Sequence, residues 1–298
     1  MRWAVRLLGP LLLVIVVVRI DDPAGILRAM AACDPLWLAG ALLLNLVNVH
    51  LKVDRWRLLL AQRGIVYPRR RAWQSFLSSS FLALTTPARL GDALRVQHLR
   101  RDAGVPYAEG FATLLVDRLF DVYVLAGFVA FATTVHAAAM GLELSLLLGG
   151  ALAAVVIGPP AMLLVPGLFG RRIRRFARTV FTAAGRSLPS AGAYTVATFV
   201  VTYLQGAMIA EAMGLALPFV DVVCLLAIAS LLALLPISIS GVGAREAYFA
   251  LIFPSLGLSA DQGIAFGLMV FAVVYLALTL LGFAAWQLSP KTPKEDPK

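Results

Sequence analysis

The sequence is poor in the residues on which water-facing chemistry draws. Charged residues make up 14% of the 298 positions, and there are three histidines and two cysteines. Soluble domains carry about a quarter charged residues, so a freely soluble globular chain is excluded. Cys33 and Cys224 stand near opposite ends of the chain with no C-x-x-C or metal-ligand spacing, which argues against a disulfide framework or a thiolate metal site. His50, His98 and His136 show no helical metal spacing and read as surface residues near the membrane borders. No G-x-S-x-G, P-loop, H-E-x-x-H or acidic pair on a cytoplasmic loop occurs. The expectation is a protein with no cofactor, no metal and no catalytic residue of its own.

Apolar residues are what the chain has in abundance: 60% of positions, with a mean hydropathy of +0.86. At about 20 residues per crossing, there is room for roughly six to eight membrane segments. A single polytopic membrane domain over residues 1–290 and a short cytoplasmic tail over 291–298 are expected. The net charge of +10 is assigned to topology and to anionic headgroups rather than to nucleic acid, because basic clusters in membrane proteins gather on the cytoplasmic side. Leu7 to Val18, after Arg2 and Arg6, has the length of a signal-peptide core. No small-residue cleavage site follows it, so it reads as a retained span.

Continuous apolar stretches occur at about Leu7 to Ile20, Leu36 to Leu51, Phe111 to Val135, Leu144 to Phe169, Ala191 to Met213, Val220 to Leu235 and Ile264 to Leu288. The segments Lys52 to Arg71 and Arg171 to Arg178 are rich in Lys and Arg, whereas Asp21 to Asp34, His136 to Glu143 and Glu211 to Asp221 hold only Arg28. Placing both basic segments in the cytoplasm requires an even number of crossings between them. The apolar run from Trp73 to Leu84 must then enter from the cytoplasm, break at "TTP" and return through "ARLGDALRVQHLRR". The same reasoning makes Val222 to Phe253 a second hairpin, broken around "PISISGVG" and dipping from the opposite face. The fold expected is an all-α integral membrane protein with about six spanning helices plus two oppositely directed re-entrant hairpins, in the inner membrane with both termini cytoplasmic. Eight complete spans with one misplaced basic loop is the alternative.

Non-helical backbone at membrane depth must be buried in protein or line a watery cavity. In the first break, Thr86 is expected to cap a helix beginning at Pro87, with Arg89, Asp92 and Arg95 on one face. In the second, Pro236 should end a helix, Ser238 and Ser240 offer hydroxyls, and Gly241 and Gly243 permit a tight turn before Arg245 and Glu246. A helix start beside an arginine suits phosphate. The third cluster, "VDRLFD", places Asp117 and Asp121 on one face of a span with Arg118 beside them, at roughly 10 and 16 Å depth if the span starts near Gly110. A charge there is costly and should be paired. Arg118 could lock locally onto Asp121, or the group could join the first hairpin in one network that receives a headgroup. Tryptophans 3, 37, 56, 73 and 286 suit an interfacial belt, and Asn45 and Asn48 suit interhelical hydrogen bonds.

"PARLGDALR", "LLVDRLFDV" and "LPISISGVGAREAYF", in this order, together resemble the membrane region of lysylphosphatidylglycerol synthases and the free-standing proteins built from that region alone. The similarity covers about Leu36 to Leu288. Members of that family usually carry Glu where Asp92 stands and often Glu in place of Asp117. The resemblance implies a lipid flippase for aminoacylated phosphatidylglycerol, with aminoacyl transfer left to a separate synthase domain that this sequence does not show. Free-standing relatives are also associated with isoprenoid-linked sugars and hopanoid pathways. The substrate site implied comprises Arg89, Asp92, Arg95, Asp117, Arg118, Asp121, Ser238, Ser240, Gly241, Gly243, Arg245 and Glu246. The arginines would attract phosphate, and the acids would balance them or receive a cationic headgroup. Expected partners are a phospholipid or lipid-linked substrate and the bilayer, with a homodimer and a separate synthase enzyme as further candidates, and no nucleic acid. The alternatives are a membrane-embedded transferase or hydrolase using Asp92 or Asp117 as base, and an accessory subunit.

Overall fold

The computed structural model describes residues 30, 32–86, 91–135, 149–150, 152–153, 157, 188–234 and 241–288, and among these every regular element is helical. The expected span at Leu7 to Ile20, that at Leu144 to Phe169 apart from residues 149–150, 152–153 and 157, the basic segment Arg171 to Arg178, Pro87, Arg89, Pro236, Ser238, Ser240 and the C-terminal tail lie outside the described residues.

Helix α1 (Pro35–Ala61) begins where the Asp34 carboxylate accepts from the Leu36 amide at 2.8 Å, with proline at its first position. It runs well beyond the stretch that hydropathy marks as apolar. Residues 52–61, which charge alone assigns to a loop, are its last turns, and the true connection to α2 is residues 62–68. The reason is tertiary: Val53, Arg55, Trp56, Leu59 and Leu60 are buried in protein, so this end of the helix needs no lipid. Trp56 is therefore a core residue, packed edge-on against Tyr67, and not part of an interfacial belt. His98 is likewise buried and not on the surface.

Helix α2 (Arg69–Thr85) and helix α3 (Leu94–Ala103) form the first fold-back. Thr86 terminates α2 instead of starting α3. Its hydroxyl donates to the Leu82 carbonyl at 2.6 Å and accepts from the Gly91 amide at 2.8 Å, so the returning chain is tied to the helix it has just left. Gly91 sits directly on the Leu82 and Ala83 backbone, where a side chain would have no room. Helix α3 starts at Leu94 and ends at Gly104, whose φ of +67° needs glycine.

Helix α4 (Tyr107–Val135) has the length to cross. Helix α5 (Leu188–Ala212) lies antiparallel to α1. The contacts that fix this are the Asp34 amide to the Ala212 carbonyl at 2.9 Å, the Gln205 amide to the Ala41 carbonyl at 2.8 Å, and Asn48 to Thr202 Oγ1 at 2.8 Å and the Thr198 carbonyl at 3.1 Å. Asn48 thus joins helices as its position in a span suggests.

Helix α6 (Phe219–Leu234) and helix α7 (Ala244–Ile252) make the second fold-back, again closed by a glycine on the preceding helix: a Cβ at Gly241 would lie 2.8 Å from the Ala233 Cβ. Gly241 and Gly243 have φ of +80° and +89°, as the turn chemistry required. After a 3-10 turn (Phe253–Leu256), Ser259 and Gln262 cap helix α8 (Ala260–Val270) reciprocally. A π-helical segment (Phe271–Leu276) leads directly into helix α9 (Ala277–Gln287). The Asn45 side chain donates to the Val273 carbonyl in that segment at 2.8 Å.

Among the described residues, three helices are long and apolar enough to cross a bilayer: Pro35–Ala61, Leu188–Ala212 and Ala260–Gln287. Leucines 42, 43, 280 and 281 remain exposed on them, as lipid contact demands. Cys33 and Cys224, far apart in sequence, lie in the same buried cluster.

Candidate functional site

Asp117 is the centre of the site. It projects from α4 and is fully buried, as is Arg55 from α1. Arg55 Nε donates to Asp117 Oδ1 at 2.8 Å, Nη2 lies 2.8 Å from the same oxygen, and Nη1 donates to Asp121 Oδ1 at 2.6 Å and to Thr195 Oγ1 at 2.8 Å. The other Asp117 oxygen accepts from Arg118 Nη2 at 2.9 Å and from Arg95 Nη1 at 3.3 Å. One carboxylate is therefore shared by three guanidinium groups. Arg118 Nη1 reaches Asp121 Oδ2 at 3.1 Å and Asp92 Oδ2 at 3.8 Å, and Arg95 Nη2 stands 3.6 Å from Asp92 Oδ1.

The six groups carry no net charge. In a low-dielectric interior this neutrality is what makes them tolerable, since an isolated ion there is prohibitive. The network is graded in exposure. Arg55, Arg95, Asp92 and Asp117 are buried, while the side chains of Arg118 and Asp121 are 28% and 21% exposed and form its accessible rim. Arg95, from the first fold-back, is wedged between aromatic faces, its guanidinium carbon 5.3 Å from the Trp56 ring centre and 4.9 Å from that of Phe76. Its Nε and Nη2 have no hydrogen-bond acceptor among the described residues.

Outside this cluster, α3 is fastened by Asp102, which accepts from the Tyr67 hydroxyl at 2.9 Å and from Arg101 Nε at 2.8 Å. Burial pushes the Asp102 carboxyl up, but the hydrogen bonds from Arg101 and Tyr67 outweigh it and hold the group below the usual carboxylate range. Burial and the Asp102 bond push the Tyr67 phenol well above its ordinary value.

The second fold-back holds a smaller version of the same chemistry. Arg245 donates from Nη2 and Nε to Glu246 Oε1 at 2.7 and 3.1 Å, and Glu246 Oε2 accepts from the Gly243 amide at 2.6 Å. Both side chains are buried. The Arg245 guanidinium lies over Phe271 and Tyr275 of the π-helical segment, 5.7 and 5.3 Å from their centres, and its Nη1 has no acceptor among the described residues. Of the backbone amides at this helix start, that of Gly243 is taken by Glu246 and that of Arg245 donates to the Gly241 carbonyl at 3.0 Å.

The protein-family description "lysylphosphatidylglycerol synthase TM region" matches residues 3–282. The chain belongs to the lysylphosphatidylglycerol synthase membrane-region family. It is thus an integral membrane protein, in agreement with its crossing helices. It is also similar to the glycosyltransferase AglD of Haloferax volcanii, 32% identical over 127 residues, which is 41% of this chain and 20% of AglD. The chain therefore spans only a small part of that relative's length.

Within this family member, the structure brings together Asp92, Arg95, Asp117, Arg118 and Asp121 in one cluster, and Gly243, Arg245 and Glu246 in another. Arg118 does pair with Asp121, but it also binds Asp117 and approaches Asp92, so it links α4 to the first fold-back. Sequence reading missed Arg55 and Thr195. Arg55 was hidden among the basic residues assigned to a loop, although Asn45, Asn48 and Arg55 recur at helical spacing and all three are buried on one side of α1. That polar stripe is the signal that could have found it.

Proposed function

We propose that the protein moves a phospholipid of the aminoacyl-phosphatidylglycerol kind, or a lipid-linked headgroup, across the bilayer, with the headgroup passing along the charged interior while the acyl chains stay in lipid. The single observation that carries this reading is the neutral Arg55, Arg95, Arg118, Asp92, Asp117, Asp121 network. It is buried at its base and open at Arg118 and Asp121, so it offers both signs of charge to a polar headgroup. Membership of the family supports a membrane lipid role. The fold-backs support the topology of about six crossings with two re-entrant hairpins. At 1.5 Å per residue, α2 reaches only about 25 Å, short of a hydrocarbon core of about 30 Å, and α3 and α7 only about 15 Å. On this reading the protein sits in the cytoplasmic membrane with both termini inside, has no enzymatic activity of its own, and works with a separate enzyme that makes its lipid.

The similarity to AglD favours one second reading, a membrane module acting with or in transfer to a lipid-linked substrate. Reconstitution into liposomes with fluorescent lipids of differing headgroup separates the two. Movement of unaltered lipid between leaflets is expected. Chemical alteration of the lipid supports the second reading, and neither movement nor alteration overturns the first.

A further inference from the structure

The two fold-backs match in number as well as in kind. Helices α2 and α6 start at Arg69 and Phe219, the closing glycines are Gly91 and Gly241, helices α3 and α7 start at Leu94 and Ala244, and the stacked arginines are Arg95 and Arg245. Each of these pairs is 150 residues apart. The match extends outward: α1 corresponds to α5, and α4 to the continuous α8–α9 span. Packing follows the same correspondence, since α9 lies on α2 as α4 lies on α6, and α2 meets α3 as α6 meets α7.

The relation between the halves is an inversion. Helices α1 and α5 are antiparallel, and Asn48 bonds the carbonyl of Thr198, its own counterpart 150 residues later. A two-fold axis relating the halves must pass where equivalent positions touch. That places it at the α1–α5 crossing and across the helices, in the membrane plane, which is the arrangement of inverted-repeat transporters.

In both halves the arginine is at least nine-tenths buried, stacked on two aromatic rings and beside an acid, Asp92 three residues before Arg95 or Glu246 one residue after Arg245. Nε and Nη2 of Arg95 and Nη1 of Arg245 lack a hydrogen-bond acceptor among the described residues. A buried donor without an acceptor costs about 1–3 kcal/mol, and a guanidinium with such donors to spare, two nitrogens at Arg95 and one at Arg245, fits the oxygens of a phosphodiester. We infer that the chain is an inverted repeat of residues 35–135 and 188–287, and that Arg95 and Arg245 are the same station in its two halves, each holding the phosphate of a lipid headgroup and each approached from the opposite face of the membrane. This rests on the translocation reading and gives it two successive holding points.

The test counts lipid on detergent-purified protein by native mass spectrometry with phosphatidylglycerol as probe. Two bound lipids are expected for the wild type, one for Arg95→Gln or Arg245→Gln, and none for the double variant. Lysine at either position should fold normally and bind roughly tenfold more weakly, having charge without the fork, which covers the case in which a glutamine variant fails to fold. Unchanged occupancy in both single variants overturns the stations, and loss in only one overturns their equivalence. Equal binding of diacylglycerol, which lacks phosphate, or full displacement by inorganic phosphate overturns the lipid-phosphate assignment. Transport in liposomes is read separately. Arginine-dependent binding of two lipids without transport removes the translocation reading alone, whereas transport unaffected by both variants removes the stations alone.

Discussion

At the residue scale, the burial of Arg55 against Asp117 makes the sharpest demand. Removing one member leaves the other charged and without its partner in the interior, at a cost of about 3–5 kcal/mol. Arg55→Leu or Asp117→Leu alone is therefore expected to lower the melting temperature in detergent far more than the sum-corrected double replacement, read as a double-mutant cycle. Strict additivity would remove the pair. Tyr67→Phe tests the fastening of α3 and should cost about 1 kcal/mol. The pH dependence follows from the lowered Asp102 carboxyl: its contribution is present above the unfolded carboxylate pKa of about 3.9 and is lost as pH falls through the still lower folded value. The wild-type and Tyr67→Phe melting curves should therefore differ by a constant amount from pH 8 to 5 and converge only in more acid solution. The acids and arginines of "GDALR" and "VDRLFD" were legible in the sequence because charge at membrane depth is rare. Arg55 was not, because a basic residue near an apolar boundary looks the same whether it faces headgroups or the core.

At the element scale, each fold-back depends on a glycine pressed against the helix before it. Gly91→Ala should force α3 away from α2, with lost yield or transport, whereas Gly127→Ala, in an exposed helical position with open space around it, should be neutral or slightly stabilising. Comparable expression and activity of the two would discount the close approach. The π-helical segment makes a different prediction. A π turn holds one residue more than an α turn, so deleting one residue within 271–276 restores an ordinary helix, while a deletion within 277–287 turns everything beyond it by about 100°. Only the first class of deletion should preserve folded protein, judged by gel filtration. The breaks themselves were readable from "TTP" and from Gly241 and Gly243. The start of α3 was displaced because Thr86 spends its hydroxyl on closing the turn, a contact that local cap preferences do not reveal, and the π segment leaves no mark in a uniformly apolar stretch.

At the scale of the whole molecule, the uneven distribution of Lys and Arg predicts that Arg100 faces the cytoplasm and residues 254–261 the outside. Cysteine substitutions at Arg100 and Ser255, labelled in intact cells with a membrane-impermeant maleimide, should react at Ser255 alone; labelling at Arg100 would reverse the first hairpin. Hydropathy and charge carry the expectation for the number and direction of segments, while the way helices cross is set by a few polar contacts that pattern does not specify. The Asn48 contact is one of these, and it has a mechanical meaning. Asn48 is the middle residue of the 27-residue α1, and Thr198 and Thr202 bracket the middle of α5. A helix of that length is about 40 Å long, so a rocking of about 10° around this fulcrum swings its two tips by some 3–4 Å in opposite senses while the pivot hardly moves. The crossing can stay bonded throughout, and a gap widening at one membrane surface would be geared to one narrowing at the other.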